Sequence, residues 1–202
     1  AHEARVAVDV SREKVASVLN SRTSEIVFTS GGTESNNLAI KGLESVFKDR
    51  RTHVITSAIE HHGVLHPIEQ LSNDGVEVTI VDCDQYGILD PDDFVRSVKQ
   101  ETILVSIMLA NNEVGTIQKV ADISRKIKER SATLGGEIYI HTDAVQAAGK
   151  LSLDTKTLDV DLLSLSGHKI YAPKGVGVLY VRRGTPIEPL IAGGGQERQR
   201  RS

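Results

Sequence analysis

The chain has 202 residues and carries 24 Lys+Arg against 27 Asp+Glu, a formal net charge of −3. That length suffices for one full domain with a sizeable core, and the charge balance supplies no basic field for nucleic acid. Aromatics are 3% of the residues, too few for stacking platforms along a single strand, and the single cysteine excludes an internal disulfide framework.

In chain order, the pattern first predicts a helix over Ala4–Leu19, with Val15, Val18 and Leu19 forming one apolar stripe. A short strand over Glu25–Thr29 then turns through Ser30–Asn37 into a helix carrying Leu38, Ile40 and Leu43. A strand over Thr52–Ser57, a helix from His61 to Leu71 and a strand over Val76–Val81 follow. Asp90 reads as an N-cap with Pro91 at the first helical position, opening a helix to Lys99. Thr102–Leu109 reads as a long apolar strand, Lys119–Arg130 as a helix and Glu137–His141 as a strand. Val160–Leu165 and Val176–Val181 close the order as strands, with the Ser166-Gly167-His168 turn and Lys169 between them. Arg198, Arg200 and Arg201 read as an exposed terminus rather than a binding patch.

Continuous apolar strands alternating with amphipathic helices predict an α/β fold, a mostly parallel central sheet with helices on both faces. Ligands of such sheets bind at the carboxyl ends of strands. The polar motifs here all fall just after a strand, which carries more weight than any one of them.

Ser30-Gly31-Gly32-Thr33 leads a strand into a helix start, where glycines admit an anion to the backbone amides. Plain helix capping explains the same residues equally well. Glu60-His61-His62 offers a flat imidazole to stack on a ring, or two exposed histidines at a helix start. No third ligand at a sensible spacing makes it a metal site. Asn111-Asn112 can orient a ring substituent and is also an ordinary turn former. Asp143, buried at a strand mouth, needs a cationic or protonated partner such as a pyridinium nitrogen, or else caps the next segment. Lys169, held between two buried strands, would be desolvated and usable as a Schiff-base nucleophile; a snorkelling lysine is the plainer alternative. Together the motifs supply a partner for each part of pyridoxal 5'-phosphate: phosphate, ring face, phenolic oxygen, ring nitrogen and aldehyde.

The set Phe28–Asn37, Glu60-His61, Asn111-Asn112-Glu113, His141–Gln146, Ser166-Gly167-His168-Lys169 and Gly193–Arg198 resembles the NifS/IscS-type cysteine desulfurases. These belong to the class V branch of the fold-type I, aspartate-aminotransferase-like enzymes that use pyridoxal phosphate, with selenocysteine lyase a close relative. The resemblance runs over essentially the whole chain. It implies that Lys169 binds the cofactor aldehyde, Asp143 pairs with the ring nitrogen, and His61 stacks on the ring and takes part in proton transfer. It further implies that Gln146 meets the phenolic oxygen, that Asn111 places the substrate amino acid, and that Gly32, Thr33, Ser166 and His168 hold the phosphate. The implied reaction converts L-cysteine to L-alanine and leaves a persulfide for iron–sulfur cluster assembly or thiolation, by way of an acceptor or scaffold protein. L-selenocysteine as substrate, or a cofactor-binding fragment without catalysis, are the alternatives.

The resemblance also implies a homodimer and a cytoplasmic location, or a mitochondrial one after loss of a transit peptide, with neither nucleic acid nor membrane as partner. One cofactor-binding large domain over 1–202 is expected. The family's N-terminal strand segment, its small domain and its catalytic-cysteine loop would lie outside it. Cys83, between Asp82 and Asp84, matches no catalytic position and is given no role.

Overall fold

The computed structural model describes residues 2–50 and 52–201. Its first helix, α1 (His2–Val18), exposes residues 2–11 and turns Arg12 and Ala16 inward, with Leu19 just beyond its end. These positions stand at i, i+4 and i+7 and so share one face. Val18 lies off that face and is 69% exposed, so it does not belong to the expected apolar stripe.

The remaining elements alternate. Strand β1 (Ile26–Thr29) leads to α2 (Gly32–Val46), β2 (His53–Ser57) to α3 (His62–Asn73), and β3 (Glu77–Val81) to α4 (Pro91–Ser97). Strand β4 (Thr102–Ser106) leads to α5 (Val120–Leu134), and β5 (Tyr139–Asp143) to the short α6 (Thr155–Leu158). Then β6 (Leu162–Ser166), a 3-10 turn over Gly167–Ile170 and β7 (Gly177–Val181) complete the sheet. Asp90 caps α4 as expected, accepting from Asp92 N at 2.9 Å. Helix α5 outruns its expected end at Arg130 because its stop is Gly135, left-handed at φ 69°.

The sheet order is β1-β7-β6-β5-β4-β2-β3. Neighbours from β3 across to β6 run parallel, while β7 is antiparallel to both β6 and β1. The carboxyl ends of β1, β2, β4, β5 and β6 therefore lie along one edge of the sheet. Leu38, Ile40 and Leu43 of α2 pack with Val64 and Ile68 of α3 on one face. Phe94 of α4, Ile123 and Ile127 of α5 and Leu19 cover the other. The mostly parallel sheet with helices on both faces is the architecture expected of the sequence.

Strand β4 stops at Ser106 although Ile107, Met108 and Leu109 stay buried. The Met108 N–H leaves the ladder and donates to the Glu60 carboxyl at 2.8 Å. Two histidines inside the sheet tie strands rather than bind anything. His53 bridges Thr102 and Thr79, each at 2.8 Å, and His141 bridges Ser106 at 2.8 Å and Ser164 at 2.9 Å. Burial pushes the His141 imidazole down to about 3, so it sits neutral between its two hydroxyls. No helix among the described residues is long and apolar enough to cross a membrane.

Candidate active site

The carboxyl-end edge of the sheet carries a cavity lined by Gly32, Thr33, Asn36, His61, Met108, Asn112, Asp143, Val145, Gln146, Ser166, His168 and Lys169. Each comes from a strand end or the segment that follows it, where backbone leaves the ladder and side chains converge. Of the residues singled out in the sequence, Gly32, Thr33, His61, Asp143, Gln146, Ser166, His168 and Lys169 are brought together here.

Asn111 is not among them. Its Nδ2 donates to Ile59 O at 2.9 Å, and its Oδ1 accepts from Glu113 N at 2.8 Å and Val114 N at 2.9 Å. That side chain closes its own turn, and the neighbouring Asn112 lines the cavity instead.

Asp143 closes β5 and is 5% exposed. Its Oδ1 accepts from Val145 N at 3.0 Å and its Oδ2 from Asn36 Nδ2 at 2.7 Å. Desolvation raises its pKa above the usual carboxylate range, opposed by those two hydrogen bonds and by the nearby His61. Asn36 Oδ1 is buried and has no hydrogen-bond partner among the described residues.

His61 is the N-cap of α3, and its Nδ1 accepts from Gly63 N at 2.9 Å. A backbone N–H can only donate, so Nδ1 holds no proton and the neutral ring carries its hydrogen on Nε2. Its neighbour His62 stacks on His66 at 4.9 Å between centroids. Among the described residues no cluster of His, Cys, Asp and Glu could hold a metal.

Glu60 precedes His61 and is fully buried. Its Oε1 accepts from Ser57 Oγ at 2.6 Å and from Met108 N, while Oε2 has no partner among the described residues. Burial pushes its pKa up to about 8, against those two hydrogen bonds. Glu60 thus ties the end of β2 to the exit of β4 as a neutral acid at pH 7.

The turn between β1 and α2 is held close by small residues. A Cβ on Gly32 would come within 2.9 Å of Val145 Cγ2 and 3.4 Å of Ser166 Cβ. One on Gly177 would meet the Gly31 backbone at 2.5 Å. The amino end of α2, Ser166 and His168 therefore meet at one spot, with Ser166 Oγ bonded to His168 Nδ1 at 2.9 Å.

The expected desolvated lysine is corrected by the structure: Lys169 is exposed. Strand β6 ends at Ser166 and the 3-10 turn carries the chain out of the sheet, bringing Lys169 to the cavity from its solvent side. Of the terminal arginines, Arg198 is exposed as expected while Arg200 and Arg201 are half-buried. Arg198 donates to Thr23 O at 2.7 Å and Arg201 pairs with Glu34, so this end of the chain is fastened to the body.

Reasoning from sequence gave no role to Asn36, Met108 or Val145 in the cavity wall, and of the pair Asn111-Asn112 it assigned the role to Asn111. The signal for Asn36 was its place one helical turn after Thr33, and for Asn112 its identity with its neighbour.

The mostly parallel seven-stranded sheet, with a lysine and a buried carboxylate lining one cavity at its carboxyl edge, has the fold of the class V aminotransferase-like proteins it matches. The chain matches the Aminotransferase class-V family over residues 1–201 and belongs to that family. It is 48% identical over 200 residues to the cysteine desulfurase IscS of Dictyoglomus turgidum, covering 99% of this chain and 49% of that protein. Against the cysteine desulfurase IscS of Methanosarcina thermophila it is 50% identical over 196 residues, covering 97% of this chain and 47% of that protein. A solved NifS-like protein superposes with a TM-score of 0.95 at 46% identity, over 99% of this chain and 54% of that one. SspA in complex with cysteine does so with a TM-score of 0.94 at 42% identity, over 99% and 56%. The chain thus spans about half the length of the curated relatives it matches.

Proposed function

We propose that this chain is the cofactor-binding large domain of a pyridoxal-phosphate-dependent cysteine desulfurase, which turns L-cysteine into L-alanine and passes the sulfur on as a persulfide. The observation that carries the reading is that Lys169, Asp143, His61 and the glycine-rich amino end of α2 share one cavity. The names of the relatives support the choice of reaction, and the solved complex of SspA with cysteine supports the choice of substrate. The homodimer, the protein sulfur acceptor, the link to iron–sulfur assembly and the cytoplasmic location rest on the family resemblance alone.

The cavity fits the cofactor on two counts. Asp143 and Asn36 Oδ1, which has no partner among the described residues, are adjacent buried acceptors lining the cavity, suited to a protonated ring nitrogen. The lack of a side chain on Gly32 lets the amino end of α2 pack close to Val145 and Ser166 at the cavity wall, and a helix amino end is suited to a phosphate.

Lys169 would supply the amine that binds the cofactor aldehyde. Asp143 would pair with the ring nitrogen, and Gly32, Thr33, Ser166 and His168 would hold the phosphate. Gln146 would meet the phenolic oxygen. When bound, the cofactor supplies an electron sink for negative charge developing at the substrate α-carbon. His61 presents its ring face with Nδ1 occupied by Gly63 N–H, so its exchangeable hydrogen is on Nε2. In that state it serves as a donor, and taking up a proton requires Nδ1 to let go of its cap.

The test is a visible absorption spectrum of the purified chain with added pyridoxal phosphate, beside a Lys169→Ala variant. A lysine-dependent band that survives gel filtration and shifts with L-cysteine but not with L-serine is the expected result. A folded chain with no such band overturns the cofactor assignment.

A further inference from the structure

Resting on the cofactor reading above, we infer that Asn36 is a positioning residue that fixes the Asp143 carboxylate for the cofactor's ring nitrogen. Asn36 stands on α2 (Gly32–Val46), an element separate from the strand that ends in Asp143, and its Nδ2 lies 2.7 Å from Asp143 Oδ2. Val145 N takes the other oxygen at 3.0 Å, so the plane of the carboxylate is set from two directions.

The amide orientation follows from the chemistry. A carboxylate accepts, so Nδ2 must be the atom that faces it. Oδ1 is then left as a buried acceptor with no partner among the described residues, on a side chain that lines the cavity. Such an atom is costly unless a ligand meets it. A protonated ring edge held against Asp143 provides that contact.

The surroundings hold Asn36 in this pose. It is 1% exposed, and the turn before it is fastened by Ser35 Oγ, 2.7 Å from Thr29 Oγ1. A Cβ built on Gly63 would meet His61 Nδ1 at 3.0 Å, Asn36 Nδ2 at 3.4 Å and Thr33 Oγ1 at 3.5 Å. Glycine at 63 thus lets the amide of Asn36 sit beside the N–H that fixes His61.

Asp143 is desolvated, and a desolvated carboxyl tends toward its neutral form, which would not pair with a cationic ring. The amide donor opposes that tendency, as hydrogen bonds to the charged form do.

Two variants separate a donor from a packing role. Asn36→Leu fills a similar volume without a donor, and Asn36→Ala removes both volume and donor. The first readout is the Asp143 carboxyl titration in the cofactor-free chain, followed by carbon-13 NMR and assigned with Asp143→Asn. The second is the dissociation constant of pyridoxal phosphate by absorption.

A positioning role predicts that both variants move the Asp143 midpoint upward and weaken cofactor binding by about tenfold. If Asn36→Leu matches the wild type in both readouts while Asn36→Ala alone departs from it, Asn36 is packing and the inference falls. If the wild type takes up no pyridoxal phosphate but both variants still raise the midpoint, the positioning of Asp143 stands and the cofactor reading is what fails. Should Asn36→Leu not fold, an Asn36→Ala midpoint equal to that of the wild type overturns the inference by itself.

Discussion

Arg12 and Glu197, 185 residues apart, meet through two parallel hydrogen bonds, Nη1 to Oε2 at 2.7 Å and Nη2 to Oε1 at 2.8 Å. The guanidinium also lies 4.7 Å above the Phe28 ring and donates to Ile26 O at 2.8 Å. Glu197 Oε2 in turn accepts from Phe28 N at 2.8 Å. The pair binds α1 and the end of the chain to β1, the strand that feeds the glycine-rich turn.

Glu197, Arg198 and Gln199 hold left-handed dihedrals, with φ of 46°, 58° and 66°. Each non-glycine residue there costs about 1–2 kcal/mol, and the ion pair offsets this together with the bonds from Phe28 N to Glu197 and from Arg198 to Thr23 O. Arg12→Ala should lose about 3 kcal/mol of stability, since it leaves a half-buried carboxylate without its partner. Urea melts of the two single variants and of Arg12→Ala with Glu197→Ala check this. The double variant should cost clearly less than the sum of the singles, and strict additivity would mean that the pair contributes nothing of its own.

Glu60 gives stability a pH dependence of predictable sign. Its pKa in the folded chain is about 8, above the ordinary 4.5. Between those values the folded chain binds the proton that the unfolded chain has lost, so stability falls as pH rises from about 4.5 to 8 and then levels off. Glu60→Gln keeps an acceptor for Ser57 Oγ and Met108 N and has no charge to lose. Relative to the wild type, the variant should gain on the order of 4 kcal/mol between pH 4.5 and 8. Parallel denaturation curves at every pH would count against a neutral Glu60.

The sheet was readable from sequence because strands buried on both faces leave apolar runs, as β4, β6 and β7 do. The ends of elements were less readable. Thr102–Leu109 looks like one strand because hydrophobicity reports burial, and both burial and backbone bonds to β5 from Ile107 N and Leu109 N continue past the end of β4 at Ser106, where Met108 N turns to Glu60. The cavity-lining motifs were visible as polar residues just after strands, but which of Asn111 and Asn112 faces inward depends on a turn geometry that two like residues do not encode. Lys169 misled for a related reason: the two flanking strands are buried, yet the 3-10 turn between them is not. The Arg12–Glu197 pair could not be foreseen, because nothing local joins residues so far apart.

Gly177 offers a test of how closely the site loops must pack. It pairs with Thr29 on one side and Ser166 on the other, the last residues of β1 and β6. Its missing side chain is what admits the Gly31 backbone, which a Cβ would meet at 2.5 Å. Gly177→Ala should therefore cost about 1–3 kcal/mol through overpacking and weaken phosphate binding at the α2 amino end more than the stability loss alone explains. Thermal melts with and without added phosphate read both effects. An alanine variant with an unchanged melting temperature would show that the turn can withdraw.

His141 gives the opposite slope on the acid side. The fully buried imidazole titrates at about 3 in the folded chain against an ordinary 6.5. Between those values the unfolded chain binds a proton that the folded chain does not, so stability is complete above about 6.5 and falls as pH drops toward 3. The loss is on the order of 4 kcal/mol over that window. Protonation would also put a second donor on the ring where each nitrogen now shares one hydrogen with Ser106 Oγ or Ser164 Oγ. A serine hydroxyl can turn to accept, but the charge itself stays desolvated. His141→Gln, uncharged at every pH, should lose stability at neutral pH by giving up one of the two bridges. It should lose less than the wild type on acidification, so the two stability curves converge toward pH 3. If the wild type shows no extra acid loss relative to the variant, the imidazole is reached by water in the folded chain and the Ser106–His141–Ser164 bridge is not closed.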